Sequence, residues 1–195
     1  MNASHTSSLF VSGTDTGVGK TVCTALLALR AQAAGFNAGV MKPLASGCAR
    51  GCRELECEDA VWLQSVTGVE DELELINPIR LEEPLAPLVA AERAGLETAD
   101  WLPRVLEAYE ELTRRHDCVI VEGVGGLLAP LFRREGEYFT CAELAATLGL
   151  PVLLVARRTL GTINHTVLSR RYPLPAPSQF AGLLFCDAEP VATDD

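Results

Sequence analysis

The chain has 195 residues, 48% hydrophobic and 22% charged, enough to bury the core of one domain and too apolar for a disordered chain. Its 16 Lys and Arg against 26 Asp and Glu leave a net charge of −10, a surface that repels polyanions and argues against nucleic acid as a general partner. No apolar run approaches the roughly 18 residues of a membrane span, the polar Met1–Ser8 stretch lacks the basic and apolar regions of a secretory signal, and seven cysteines, an odd number, suit reduced thiols in the cytoplasm.

Ser8 to Ser12 is a short apolar run and predicts a buried strand. It runs into Gly13-Thr14-Asp15-Thr16-Gly17-Val18-Gly19-Lys20-Thr21, and Val22 to Gln32 then predicts a helix closed by Gly35, a left-handed cap. Asn37 to Met41 predicts a second strand, ending at Lys42-Pro43. Helices are expected over Glu58–Thr67, Pro87–Ala94 and Thr98–Arg115. Between the first two, the acidic run Glu70-Asp71-Glu72 with Glu74 reads as a solvated turn. Cys118 to Glu122 predicts a buried strand, followed by a Gly-rich turn at Gly123 to Gly126. Ala142–Leu148 predicts a helix, Val152–Ala156 a strand, Thr162–Ser169 a helix and Ala181–Phe185 a last strand. Apolar strands alternating with amphipathic helices imply an α/β fold, a parallel sheet with helices on both faces. No linker interrupts the pattern, so one domain is expected over 1–195, with an exposed tail from about Asp187.

The strand, glycine-rich turn and helix opening at Gly19-Lys20-Thr21 form a phosphate cradle. Backbone N–H groups point inward, the helix N-terminus adds positive potential, Lys20 reaches the terminal phosphates and the Thr21 hydroxyl can ligate Mg²⁺. The usual pattern begins with glycine where this chain has Thr14, and Gly13 stands one place earlier. Phosphoryl transfer also needs acids to hold Mg²⁺. Glu122, at the carboxyl end of a buried strand, is placed for that role. Asp59 suits it too, or is a first-turn acid that stabilises its own helix.

Taken together the chain resembles the dethiobiotin synthetases, within the P-loop NTPase superfamily, from Leu9 to about Asp187. The resemblance rests on the phosphate loop, Lys42-Pro43-Leu44-Ala45-Ser46-Gly47, Glu58-Asp59-Ala60, Glu82-Glu83-Pro84-Leu85-Ala86-Pro87, Val121-Glu122-Gly123-Val124-Gly125-Gly126 and Leu160-Gly161-Thr162-Ile163-Asn164-His165. It implies a ligase for which 7,8-diaminononanoate captures CO₂ (from bicarbonate) as a carbamate. ATP phosphorylates the carbamate to a mixed anhydride, and the second amine closes a cyclic urea. It further implies that Lys20 and Lys42 neutralise the γ-phosphate and carbamate, that Ser46 bonds the reacting group, and that Thr21, Asp59 and Glu122 hold Mg²⁺. Thr16, Gly17, Val18, Gly19, Gly123, Val124, Gly125, Cys186 and Asp187 would line the nucleotide. Asn164, with Gly161, would bind the substrate tail across a homodimer interface.

Three departures cluster on the adenine side. Relatives carry Asn-Asp where this chain has Cys186-Asp187, and a thiol cannot replace a two-sided amide. Pro173, Pro175 and Pro177 break a stretch that is mostly helical in relatives. Relatives also continue past the last strand, whereas this sequence stops at Asp195. Triphosphate binding with relaxed base selection is the expectation. Cys48, Cys52 and Cys57 are spaced too irregularly for zinc and read as incidental thiols. His165 reads as a packing or capping residue, and His5 and His116 have no evident partner. Two other functions compete: a partition- or division-type switch ATPase, which Thr14 in place of a lysine argues against, and a homologue that binds nucleotide without turnover.

Overall fold

Five of the apolar runs become strands of one parallel sheet. The computed structural model describes residues 8–51 and 54–187; His5, Cys52 and the expected tail beyond Asp187 lie outside them. In chain order the elements are β1 (Leu9–Gly13), α1 (Lys20–Ala33), β2 (Ala38–Met41), β3 (Leu44–Ser46), β4 (Ala49–Arg50), β5 (Leu55–Glu56), α2 (Glu58–Thr67), α3 (Leu73–Ile76) and β6 (Ile79–Leu81). They continue with α4 (Pro87–Ala94), α5 (Trp101–Arg115), β7 (Cys118–Gly126), β8 (Pro130–Arg134), β9 (Glu137–Thr140), α6 (Cys141–Thr147), β10 (Val152–Arg157), α7 (Thr162–Arg171) and β11 (Phe180–Cys186).

The main sheet has the order β11-β10-β1-β7-β2, every pair parallel. Four of its strands read as unbroken apolar runs because both faces are covered, whereas the edge strand β11 is apolar yet largely exposed. Phe10, Val119, Val121 and Leu154 face one cluster, with Trp101 and Leu112 of α5 and Leu144 of α6. Their neighbours Val11, Ile120 and Val155 face the other, with Ala28 of α1 and Leu63 of α2. The chain leaves β1 toward β2 on one side and leaves β7 toward β10 on the other. The carboxyl ends of β1 and β7 therefore flank the crevice where strand order reverses, the ligand position in open α/β sheets.

The expected helix end at Gly35 is a Schellman closure. Phe36 N–H donates to Ala31 O at 3.1 Å and Gly35 N–H to Gln32 O at 2.9 Å, with Gly35 at φ 91°. The last helix stops at Arg171, two residues before Pro173, as the prolines require.

The Gly123–Gly126 segment is not a turn. β7 continues through it, and Gly126 pairs with Gly13 beyond a shift in register. Glycine is needed there for close approach: a Cβ on Gly123 would stand 2.8 Å from the Phe10 ring. Sequence pattern also missed the β8–β9 hairpin, the β4–β5 hairpin, the parallel β3–β6 pair and short α3. The acidic run is only partly a solvated turn. Asp71 is 5% exposed and accepts from His116 Nε2 at 2.7 Å, while His116 Nδ1 lies 2.9 Å from Asn37 Oδ1. His116 thus has partners that no local pattern revealed.

Candidate active site

The turn after β1 places Gly19 at φ 92°, a left-handed conformation that favours glycine, and Lys20 opens α1. No acidic residue occupies the first turn of α1, so its free N–H groups and positive end are left for an anion. Lys20 is buried, and its Nζ donates to Asp15 O at 3.0 Å. Burial lowers its pKa below the ordinary lysine value, with Glu122 opposing the shift and Lys42 adding to it. An incoming phosphate would supply the counter-charge this ammonium lacks.

Across the crevice, Glu122 is 1% exposed. Its Oε1 accepts from Thr21 Oγ1 at 2.9 Å and from Lys42 Nζ at 2.9 Å, and its Oε2 is buried with no partner among the described residues. Lys42 follows β2 directly and also pairs with Asp59 in the first turn of α2, at 2.5 Å. Burial alone would lower the Lys42 pKa, but Glu122 and Asp59 outweigh it and hold the ammonium above its ordinary value. Asp59 therefore faces Lys42 rather than serving only its own helix.

Lys42 is held from behind as well. Its N–H donates to Ile76 O at 2.7 Å, and buried Asn77 Nδ2 donates to Lys42 O at 2.6 Å. Asn77 was not legible as a site residue; the only signal was the Asn77-Pro78 dipeptide, which reads as punctuation. The end of β6 and the segment after it brace the loop after β3: Cys48 N–H donates to Leu81 O at 2.9 Å and Gly47 N–H to Glu83 O at 3.2 Å.

These groups line one cleft of about 520 Å³. It gathers Thr16, Gly17, Gly19, Lys20, Thr21, Lys42, Ser46, Asp59, Glu122, Gly123, Val124, Gly125, Cys186 and Asp187. Val18 is fully buried beneath the loop and does not line it. Gly161 and Asn164 are exposed at the start of α7 and lie outside it. Cys186 closes one wall so tightly that a Cβ on Gly19 would stand 2.4 Å from its sulfur. Two arginines at the end of β10 went unnoticed in sequence: Arg157 reaches Asp15 of the phosphate loop at 3.5 Å, and Arg158 pairs with Asp187 at 2.9 Å. A larger groove of about 680 Å³ holds Arg80, Trp101, Arg104 and five carboxylates but no residue of the phosphate loop.

Among the described residues, no group of three or more His, Cys, Asp or Glu could hold a metal by itself. The cleft does offer hard oxygen donors: the orphaned Glu122 Oε2, the Asp59 carboxylate and the Thr21 hydroxyl. One or two carboxylates completed by phosphate oxygens are what Mg²⁺ takes with a nucleotide, so these residues fit it.

A family profile described as an AAA domain matches residues 7–172. The ATP-dependent dethiobiotin synthetase BioD of Anaeromyxobacter dehalogenans strain 2CP-C is 51% identical over 161 residues, covering 83% of this chain and 68% of that protein. The protein of the same name from Thermodesulfovibrio yellowstonii is 38% identical over 188 residues, 95% of this chain and 78% of its own. That from Methanocaldococcus jannaschii is 37% identical over 163 residues, 83% and 71%. Among solved structures, the kinase domain of Escherichia coli tyrosine kinase ETK aligns with a TM-score of 0.51 at 19% identity, over 96% of this chain and 69% of that one, a likeness of fold alone.

Proposed function

The chain belongs to the ATP-dependent dethiobiotin synthetases, and we propose how its cleft performs that ligation. The overall change joins 7,8-diaminononanoate and CO₂ into the cyclic urea of dethiobiotin as ATP becomes ADP and phosphate. The observation that carries the reading is Lys42: one buried ammonium shared by Asp59 and Glu122, in the same cleft as Lys20 and Thr21.

Backbone N–H groups from Thr16 to Thr21 receive the phosphates, and Lys20 turns from Asp15 O to the γ-phosphate. Lys42, kept protonated by its two carboxylates, neutralises the carbamate formed on one amine. Ser46 donates a hydrogen bond to the reacting carboxyl. The carbamate oxygen attacks the γ-phosphorus, ADP leaves, and the second amine then displaces phosphate from the mixed anhydride. Thr21, Asp59 and Glu122 would hold Mg²⁺, which neutralises phosphate charge when bound. The protein performs little covalent chemistry; positioning and charge stabilisation in a cleft shielded from water supply the rate.

On this reading Cys186 and Asp187 face the base, with weak base selection because a thiol reads no amide pattern. Gly161 and Asn164 serve the substrate tail of a second copy in a cytoplasmic homodimer. Their exposure outside their own cleft supports that assignment.

Phosphate release is the test, measured with diaminononanoate and bicarbonate each omitted in turn. Release that requires both is expected; release indifferent to both would overturn the reading and restore a switch ATPase. Nucleotide binding without any release would instead identify a non-turning homologue. Repeating the assay with GTP and CTP should give turnover comparable to ATP, and strict ATP preference would refute the base-side assignment.

A further inference from the structure

Two buried thiols face each other beside the cleft. In the antiparallel β4–β5 hairpin Ala49 pairs with Glu56 and Arg50 with Leu55, so the next facing pair is Cys48 and Cys57. Both are buried, at 3% and 6% exposure, in the same apolar cluster. The Cys48 N–H is spent on Leu81 O, on the side away from Cys57, and the Cys57 carbonyl accepts from Val61 N–H of α2. The two residues therefore face each other as a non-hydrogen-bonded pair, in which Cα atoms lie about 4.5 Å apart and side chains approach most closely. That spacing falls inside the range of about 4.4–6.8 Å that a disulfide spans. In the reduced protein the Cys48 thiol donates to Ala45 O at 3.6 Å.

The pair also sits at a mechanical junction. Cys48 lies two residues after Ser46, and Cys57 caps α2 two residues before Asp59. The usual Cα spacing across a disulfide, about 5.5–6 Å, exceeds the about 4.5 Å of such a facing pair, so the crosslink pushes the start of α2 outward and with it the carboxylate that pairs with Lys42.

We propose that Cys48 and Cys57 are a peroxide-sensitive dithiol whose oxidation to a disulfide displaces Asp59 from Lys42 and slows the enzyme. One thiolate attacks a hydroperoxide oxygen, breaking the O–O bond and forming a sulfenic acid. The facing thiol then attacks that sulfur and expels its oxygen as water. With hydrogen peroxide, two thiols and one peroxide give one disulfide and two waters; the sulfurs lose two electrons and the two oxygens gain them. The crosslink stands on the hairpin register alone, whereas its effect on turnover rests on the function proposed above.

The experiment treats the full chain with hydrogen peroxide, maps disulfides by peptide mass spectrometry and follows phosphate release with diamine, bicarbonate and ATP. A Cys48–Cys57 crosslink is expected, with turnover lowered about 10-fold or more, because displacing a catalytic group by about 1 Å can cost about 100-fold. Dithiothreitol should restore it. Cys48→Ala and Cys57→Ser, chosen because Ala fits an apolar site and Ser caps a helix well, should keep basal turnover and lose the peroxide response. Cys52→Ser should keep the response. A crosslink through Cys52 instead, thiols at 48 and 57 still open to alkylation after treatment, or a Cys48–Cys57 disulfide with unchanged turnover would each overturn the proposal. If the reduced protein releases no phosphate, the function has failed, and the map of crosslinks still decides whether the dithiol exists.

Discussion

Lys20 and Lys42 are both buried lysines, yet their surroundings push them in opposite directions. Lys20 has a carbonyl for a partner and is lowered by burial, whereas Lys42 has two carboxylates and is raised. Lys20→Ala should therefore abolish turnover together with tight triphosphate binding, which calorimetry with a non-hydrolysable ATP analogue would register. Lys42→Ala should leave that binding within a few-fold and remove carbamate-dependent phosphate release. The sign of the Lys42 shift also fixes a pH expectation. A group whose folded pKa lies above its unfolded value contributes fully below the unfolded value of about 10.4, and its contribution is lost only as pH rises through the folded one. The alkaline limb of a pH–rate profile below about pH 10 should thus be the same in the parent enzyme and in Lys42→Arg. A limb that vanishes on this exchange would assign the titration to Lys42.

At the scale of elements, what matters is how short segments hold the reacting groups. Asn77, between α3 and β6, ties the backbone of Lys42 with a bond across 35 residues. Asn77→Ala removes that tether and leaves a buried carbonyl with one partner fewer. Its expected result is a turnover about 10-fold lower with nucleotide binding kept, read as a fall in kcat at unchanged ATP affinity. α6 is a control of the opposite kind. It opens with a capping box in which Thr140 N–H donates to Glu143 Oε2 at 2.8 Å, and neither residue lines the cleft. Thr140→Ala should cost about 1 kcal/mol of unfolding free energy in urea melts and leave turnover unchanged. The two substitutions separate a brace for the site from a brace for the fold.

For the molecule as a whole, sheet order decides where chemistry collects. The reversal between β1 and β7 puts the phosphate loop opposite Glu122, and β2 delivers Lys42 beside both. The outer edge is different: α7 has no buried residue, and Leu183, Leu184 and Phe185 of β11 are exposed. With Asn164 on that edge, a shared site makes a distinctive expectation. Lys42→Ala and Asn164→Ala proteins, each impaired alone, should regain activity when mixed and allowed to exchange subunits, because one of the two hybrid sites carries neither change. Mixtures that stay as inactive as their components would show that Asn164 serves no neighbouring cleft.

Local chemistry made a large part of this legible before any tertiary contact was known. Four of the five sheet strands could be read because a strand buried on both faces is apolar throughout, β11 because its run is apolar although largely exposed, and the Gly35 closure because left-handed backbone favours glycine. The phosphate loop could be read because its ligand groups are backbone donors within one turn. Partners across the chain could not. Lys42 meets Asp59 across 17 residues and Glu122 across 80, and His116 finds Asp71 across 45. No periodicity encodes such pairs, and only the order of strands brings them within a bond length. For the same reason Gly123–Gly126 passed for a turn: the need for glycine came from the Phe10 ring on a neighbouring strand, a constraint that exists only once β1 and β7 lie side by side.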